Sequence, residues 1–534
     1  MKNNISLLLY TIIFALLINF NLIGQDFKVA IFLKDKPDNS FDPYTFFDQK
    51  AIDRRVKHNL PLFDYSDLPV NTTYVEEISE NVNQVKAVSR WLNAVIAFAD
   101  ENQVETLKAL HFVKEVEVLK IYEKAISSKQ IEIEITQGWD KLREKQINRM
   151  GYQFFKDQNI DGSGVRVAVF DAGFPYVNEH EAFQLLFKNN KIIKTYDFVK
   201  NREDVYGASS HGAMCLSNIA GIAPNGPLGL ATGAEFLLAR TERGLLEPLS
   251  EEENWLMAAE WADKNGADII SSSLGYTEKR YTTDEMDGHT SIVSEAARFA
   301  IRKGILVVNA AGNEGTDAWK YIGTPADVDS VLSIGGIDPT NDYHVGFSSF
   351  GPNALMQLKP NVSAYGIAAV ASKHNTYKTI SGTSFATPLT AGFAACVLQL
   401  NPGYTNMQLF KAIEKSGHLY PYFDYAHGYG IPQASAVTNN QNKVSPTFKL
   451  ENTGEELHVK IENFMPDEEL ENKSDNYLYY HFENKNKVLE NYQVLKVSSD
   501  NPISFLKEDL KPFAVLRIHY KGYTLTKDLK AIEQ

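Results

Sequence analysis

Ser381-Gly382-Thr383-Ser384-Phe385-Ala386-Thr387-Pro388 decides how this chain is read. The run follows a strand-like segment, Tyr377 to Ile380, and opens a small-residue, apolar helix from Leu389 to Leu400. A serine at the N-terminal edge of a helix sits beside free N–H groups and the positive end of the dipole. Negative charge forming next to Ser384 is stabilised there. Gly382 turns the backbone without a Cβ, and Ala386 leaves room for a substrate or a partner helix. The plainer alternative is a Ser/Thr cap ahead of a packing helix. It gives way only if a base and an orienting carboxylate stand elsewhere in the chain.

Three positions further out supply those partners. Asp171 closes a buried-strand pattern, Val165 to Phe170; alone it reads equally as a turn former or a helix cap. His211 opens a helix in Ser209-Ser210-His211-Gly212-Ala213-Met214. A helix N-terminus disfavours imidazolium, so a neutral, base-competent ring is expected. Asn313 follows a buried strand in Ala310-Ala311-Gly312-Asn313-Glu314-Gly315, which by itself is ordinary turn chemistry. Around these positions strand patterns at 234–240, 268–273, 305–309 and 331–334 alternate with helix patterns at 212–221, 253–265 and 291–303. The alternation predicts an α/β domain on a parallel sheet covered on both faces, with its functional positions where strands end and helices begin.

In the order Asp, His, Asn, Ser, these segments resemble the subtilisin-like serine proteases, or subtilases. The resemblance rests on Asp171-Ala172-Gly173, His211-Gly212-Ala213, Ala311-Gly312-Asn313 and Gly382-Thr383-Ser384-Phe385-Ala386-Thr387-Pro388. Supporting segments are Gly266-Ala267-Asp268-Ile269-Ile270-Ser271, Ser273-Leu274-Gly275, Phe347-Ser348-Ser349-Phe350-Gly351-Pro352 and Gly428-Tyr429-Gly430-Ile431-Pro432. It implies a subtilisin-like three-layer sandwich over residues 141–440 and a serine endopeptidase working through an acyl-enzyme. Ser384 would be the nucleophile, His211 the base and Asp171 its orienting carboxylate, with Asn313 holding the oxyanion. Ser273, Leu274 and Gly275 would pair with the substrate backbone and, with Ala310, Ala311 and Gly312, line the pocket for the residue before the cut. Ala172 and Ala213 replace the family's hydroxyl residues beside the Asp and the His. Neither position moves the proton, so activity is expected to survive.

No cofactor is required for this chemistry. Calcium is common in the family, but no calcium site maps onto this chain residue by residue. His180 and Glu181 are adjacent and no His-Glu-x-x-His follows, which disfavours a zinc protease. Two other readings stay open: a binding or adhesion protein that keeps the fold without turnover, and a processing enzyme acting on one protein partner.

The flanks extend the argument. Lys2 and the apolar run Ile5 to Leu22 read as a secretory signal cleaved near Gly24, with an uncleaved anchor as the rival. Residues 25–140 look like a small α/β pro-domain: strands at 27–32, 91–98 and 112–119, helices at 47–57 and 101–110. Ser89-Arg90-Trp91-Leu92-Asn93-Ala94-Val95 resembles subtilase pro-domains, which inhibit until cleaved, and much of this region resembles secreted Bacteroidetes subtilases. A polar linker at 438–445 leads to a strand-rich segment, 446–534, expected to form a small β-sandwich. Its Val515-Leu516-Arg517-Ile518 and Tyr523-Thr524-Leu525-Thr526-Lys527 look like a divergent type IX secretion sorting domain, with an accessory module as the alternative.

Composition narrows the partners. Of 534 residues, 44% are hydrophobic and 22% charged, as in a globular protein with large cores. A net charge of −14 argues against nucleic acid as a partner and leaves a protein or peptide substrate and the chain's own pro-domain. No membrane anchor is expected after signal cleavage, which implies a secreted or cell-surface bacterial protein. Two cysteines, Cys215 and Cys396, are too few for a disulfide scaffold and read as buried thiols.

Overall fold

The computed structural model describes residues 27–37, 40–119, 138–243, 250–278, 280–438, 445–462, 464, 476–498 and 503–529. The expected signal (1–24) and nearly all of the expected linker (438–445) lie outside them. The chain divides into two compact units.

The first unit is a four-stranded antiparallel sheet of β1 (Phe27–Leu33), β2 (Gln84–Ser89), β3 (Ala94–Ala99) and β4 (Val113–Leu119), in the order β2-β3-β1-β4. Val29, Ile31, Val95, Ala97 and Leu107 meet in its core. The strand expected from Trp91 begins only at Ala94. Residues 90–93 are the hairpin turn, where Asn93 takes a left-handed φ of 49°. Strand β2 is hidden from a sequence reading because a bulge between Val85 and Ala87 breaks its alternation.

Residues 43–62 leave this unit and belong to the second one. They carry the basic helix α1 (Gln49–Lys57), whose N-terminus is capped by the Asp48 side chain on the Lys50 N–H.

The second unit is built on an eight-stranded, mostly parallel sheet. Its strands are β5 (Arg166–Asp171), β6 (Ile192–Asp197), β7 (Glu235–Arg240), β8 (Ile269–Ser272), β9 (Leu306–Ala310), β10 (Leu332–Asp338), β11 (Tyr343–His344) and β12 (Val362–Tyr365). The order is β11-β10-β9-β8-β5-β7-β6, β12 pairs with β10, and only β11 runs antiparallel to its neighbour. The period of two sorts the β5 side chains. Val167 and Val169 enter the core shared with helices α2 (His211–Ala220) and α5 (Thr383–Leu400). Phe170 meets Trp255 of α3 (Ser250–Lys264) edge-on, with ring centroids 5.4 Å apart. Helix α4 (Ile292–Arg302) packs beside α3. This is the covered α/β sheet that the sequence predicts.

Helix α5 starts at Thr383, six residues before the expected Leu389, and takes Pro388 into its body. Among the described residues it is the one helix long and apolar enough to cross a membrane, but 89% of it is buried, as in a core helix. An antiparallel hairpin of β13 (Ile367–Ser372) and β14 (Thr376–Ser381) delivers the chain to its N-terminus.

Residues 448–528 form two antiparallel sheets. One joins β15 (Phe448–Thr453), β16 (Glu456–Ile461) and β19 (Ile503–Leu506). The other joins β17 (Tyr477–Glu483), β18 (Leu489–Lys496), β20 (Val515–Tyr520) and β21 (Tyr523–Asp528). They share a core of Phe448, Leu457, Leu478, Phe482, Leu516 and Ile518. This sandwich is fixed to the loop around residues 417–429. Leu419 and Tyr422 pack on Tyr479. The Arg517 guanidinium donates to the Pro421 carbonyl at 2.9 Å, and His481 Nδ1 donates to the Phe423 carbonyl at 2.6 Å.

Candidate active site

Asp171 ends β5 on the face that carries Val167 and Val169, so its carboxylate reaches the layer where α2 and α5 begin. Gly212 allows the approach of α2. A Cβ there would lie 2.4 Å from the Gly173 carbonyl oxygen and 2.8 Å from the Asp171 Cβ. His211 Nδ1 donates to the Asp171 carboxylate, 2.8 Å from Oδ1 and 3.0 Å from Oδ2. The Ala172 N–H donates to the same Oδ1 at 2.7 Å. Asp171 has no exposure, and His211 and Ser384 keep only 7% and 8%.

Burial pulls the His211 pKa down, but the Asp171 carboxylate more than offsets it and holds the ring well above its usual value. This corrects the neutral ring expected from the helix N-terminus. A full charge at hydrogen-bonding distance outweighs the partial charge of a helix end.

Ser384 is the second residue of α5, and its hydroxyl donates to the Ser273 carbonyl at 3.3 Å. Pro388 lies four residues on and has no N–H, so the Ser384 carbonyl lacks its intrahelical donor. Two side chains take that place. Ser273 Oγ donates to it at 2.8 Å, and Cys215 Sγ at 3.3 Å. The proline in the serine segment therefore ties the Ser384 peptide to the end of β8 and to α2.

Asn313 is held by its oxygen, since the Thr383 N–H donates to Oδ1 at 2.9 Å and the Thr383 hydroxyl at 3.0 Å. Gly312, at φ 117°, offers its carbonyl to the same hydroxyl at 3.1 Å. Of the residues expected to meet substrate, Gly275 borders open space. The Leu274 carbonyl accepts from Asn309 Nδ2 at 2.8 Å. Ala310 is buried, and Ala311 is fully buried with its N–H on the Ile334 carbonyl. Glu314, read from sequence as a turn residue, brings a carboxylate under Gly312, where it accepts from Ser349 Oγ at 2.9 Å.

Cys215 was legible as a buried thiol, but its neighbour was not. Four residues after His211 it lies on the same helix face, with Sγ 3.7 Å from His211 Nδ1. Burial pushes its pKa up to about 11. Among the described residues, Asp171, His211 and Cys215 are a group whose ligand atoms lie within 4.8 Å of one another. One carboxylate, one imidazole and one thiol do not fit calcium, which takes six to eight oxygens. His180 and Glu181 have structural partners: His180 Nδ1 accepts from the Ala182 N–H at 3.0 Å, and Glu181 accepts from the Tyr377 hydroxyl at 2.9 Å.

Two stretches of the chain match known protein families. Residues 162–430 match the subtilase family model, and residues 28–134 match the peptidase S8 propeptide domain of Bacteroidota. Subtilisin NAT of Bacillus subtilis subsp. natto is 29% identical over 364 residues, covering 67% of this chain and 84% of the relative. An alkaline protease of Shouchella clausii is 27% identical over 385 residues, covering 68% and 89%. Serine protease AprX of Bacillus subtilis is 30% identical over 289 residues, covering 49% and 62%. The serine segment, the carboxylate–imidazole pair and the match over residues 162–430 lead to one conclusion: this chain belongs to the subtilase family of serine endopeptidases and carries a propeptide.

Proposed function

We propose that this protein is a secreted serine endopeptidase made as a zymogen, with Ser384, His211 and Asp171 carrying the reaction. The observation behind this reading is the hydrogen bond from His211 Nδ1 to Asp171 at 2.8 Å, at the sheet end where α5 presents Ser384. It orients the imidazole, leaves Nε2 free to act as the base, and stabilises the imidazolium when it forms.

The steps follow from the atoms present. The Ser384 hydroxyl turns from the Ser273 carbonyl towards His211 Nε2 and attacks the peptide carbonyl as the proton moves to His211. The oxyanion takes hydrogen bonds from Asn313 Nδ2 and the Ser384 N–H at the start of α5. His211 then gives its proton to the departing amine, leaving an acyl-enzyme. A water activated by His211 attacks the ester and restores Ser384. Gly275 and its neighbours Ser273 and Leu274 pair with the substrate backbone, while Ala310, Ala311 and Gly312 wall the pocket before the cut. No step calls on a cofactor.

The propeptide acts as an intramolecular inhibitor until the chain is cut, and the N-terminal apolar run supports export. The sandwich at 448–528 serves as an accessory module, a role favoured by its apolar and hydrogen-bonded seat on residues 417–429.

A fluorophosphonate probe tests the reaction. The processed protein is expected to be labelled at Ser384, and the Ser384→Ala variant is expected to stay unlabelled. A processed, folded wild type that takes no label would sink the hydrolase reading.

A further inference from the structure

Helix α1 lies inside the stretch that matches the propeptide model, yet it belongs to the catalytic unit. Its seat is the end of two helices. Helices α3 and α4 end just before Gly266 (φ 73°) and Gly304 (φ 87°), and the Lys264 and Lys303 carbonyls at those ends accept from the cap of α1 and from Arg54. Arg54 bridges the two ends: Nε donates to the Lys303 carbonyl at 3.0 Å, one terminal nitrogen to the Ala267 carbonyl, and the other to the Asp263 carboxylate. Arg55 donates to the other oxygen of Asp263 at 3.0 Å. Arg54, Arg55 and Asp263 are 2%, 1% and 0% exposed, so this is a desolvated lock rather than a surface pair.

The charges are complementary: two guanidinium groups meet the Asp263 carboxylate at the negative ends of two helices. The shapes also match, because a Cβ at Gly266 would lie 2.8 Å from the Lys50 Cβ and one at Gly304 2.5 Å from His58 Nδ1. The glycines that end α3 and α4 thus leave the room that α1 occupies. At the rim the Asp48 N–H donates to the Lys264 carbonyl at 2.9 Å, Lys50 pairs with Asp268 at 3.2 Å, and Arg166 pairs with Asp48 at 3.1 Å.

Arg166 and Asp268 mark the N-terminal ends of β5 and β8, whereas Asp171 marks the C-terminal end. The seat is therefore a strand length, about 20 Å, from the candidate active site.

We propose that residues 43–62 are a clamp that keeps the propeptide fastened to the catalytic domain after the chain between them is cut, independently of the cleft. The inference rests on the propeptide reading of residues 28–134 and requires no turnover. Departure of α1 breaks both guanidinium–Asp263 pairs together with the Arg54 hydrogen bonds to the Lys303 and Ala267 carbonyls, which opposes release. The cut protein is then a two-chain complex whose catalytic part carries the clamp on its back edge.

The test uses the full Ser384→Ala chain with a site-specific protease sequence inserted between residues 125 and 135, so that cutting does not depend on the protein's own activity. The cut chain is immobilised by its C-terminus and dissociation of the N-terminal fragment is followed. The parent fragment is expected to stay bound. Arg54→Ala with Arg55→Ala is expected to weaken retention at least about 100-fold, and Lys50→Ala a few-fold. Equal dissociation of parent and double variant overturns the clamp, as does free release of the parent fragment. Thermal melting of the uncut chains checks folding. If the double variant does not fold, Lys50→Ala decides, and dissociation unchanged by it overturns the proposal. Failure of the protease reading would appear separately, as absent fluorophosphonate labelling of the wild type.

Discussion

Thr383 grips Asn313 by its carbonyl oxygen, with the backbone N–H at 2.9 Å and the hydroxyl at 3.0 Å both donating to Oδ1. With that oxygen engaged, the N–H₂ group is the end of the amide that the proposed oxyanion hole uses. Asn313→Ala is expected to lower kcat about 10²–10³-fold with little change in KM, the scale of loss that removing one oxyanion donor causes in the related subtilisin. Thr383→Val keeps the donor and the backbone N–H that holds its oxygen but removes the hydroxyl's hydrogen bond, and a loss of about five- to tenfold in kcat is expected. Steady-state kinetics on one peptide substrate separate the two. A Thr383→Val enzyme as slow as Asn313→Ala would mean that Thr383 does more than hold the amide.

The pH dependence follows from His211. The base works when neutral, and Asp171 holds its pKa well above 6.5 against the opposing effect of burial. The kcat/KM of the processed enzyme should therefore rise with pH through an ionisation above 6.5. Asp171→Asn removes the largest effect that opposes burial, so the midpoint should move down while kcat falls about 10⁴-fold. A midpoint unmoved by that substitution would contradict the assignment.

Both thiols should be silent in the native protein. Cys215 and Cys396 are free and buried, and burial pushes both pKa values up, Cys215 to about 11. Ellman's reagent at pH 8 should find no fast thiol in the native protein and two after denaturation. One fast native thiol would place Cys215 or Cys396 nearer solvent than described.

The seat of the C-terminal sandwich should make the protein acid-sensitive. Burial holds His519 at about 3 and, helped by His427, His344 at about 4. Unfolded histidine titrates near 6.5, so between 6.5 and these values the unfolded chain binds more protons. Stability should fall as pH drops through that window, by roughly 2 kcal/mol per histidine between pH 6.5 and 4.5. Urea unfolding at pH 7, 5.5 and 4.5 reads the slope, which His519→Gln should flatten.

Removing residues 446–534 should destabilise what remains. Leu419 and Tyr422, now 1% and 0% exposed, would face water at a cost of roughly 1.5–3 kcal/mol each. A lower melting temperature with fluorophosphonate labelling retained is expected. An unchanged melting temperature would argue against the accessory role.

The covered parallel sheet, and the segments that place Asp171, His211, Asn313 and Ser384 at strand ends and helix starts, were legible because period and punctuation are local. What was not legible depends on distant residues. Nothing near His211 announces that Cys215 will touch the Ser384 carbonyl, or that Pro388 leaves that carbonyl open for Ser273. Read locally, Pro388 is a boundary and puts the start of α5 at Leu389, yet proline fits within a helix whose freed carbonyl finds other donors. The departure of residues 43–62 from the small N-terminal unit was equally hidden, since Asp263 lies 209 residues from Arg54.

The pairing of α2 with α5 also sets a schedule. The chain is made from its N-terminus, and 169 residues separate Cys215 from Ser384, which it touches. The carboxylate and imidazole are therefore synthesised long before the nucleophile. A nascent chain carries a base with nothing to activate, and the machinery that handles it meets no competent protease until α5 has emerged and docked.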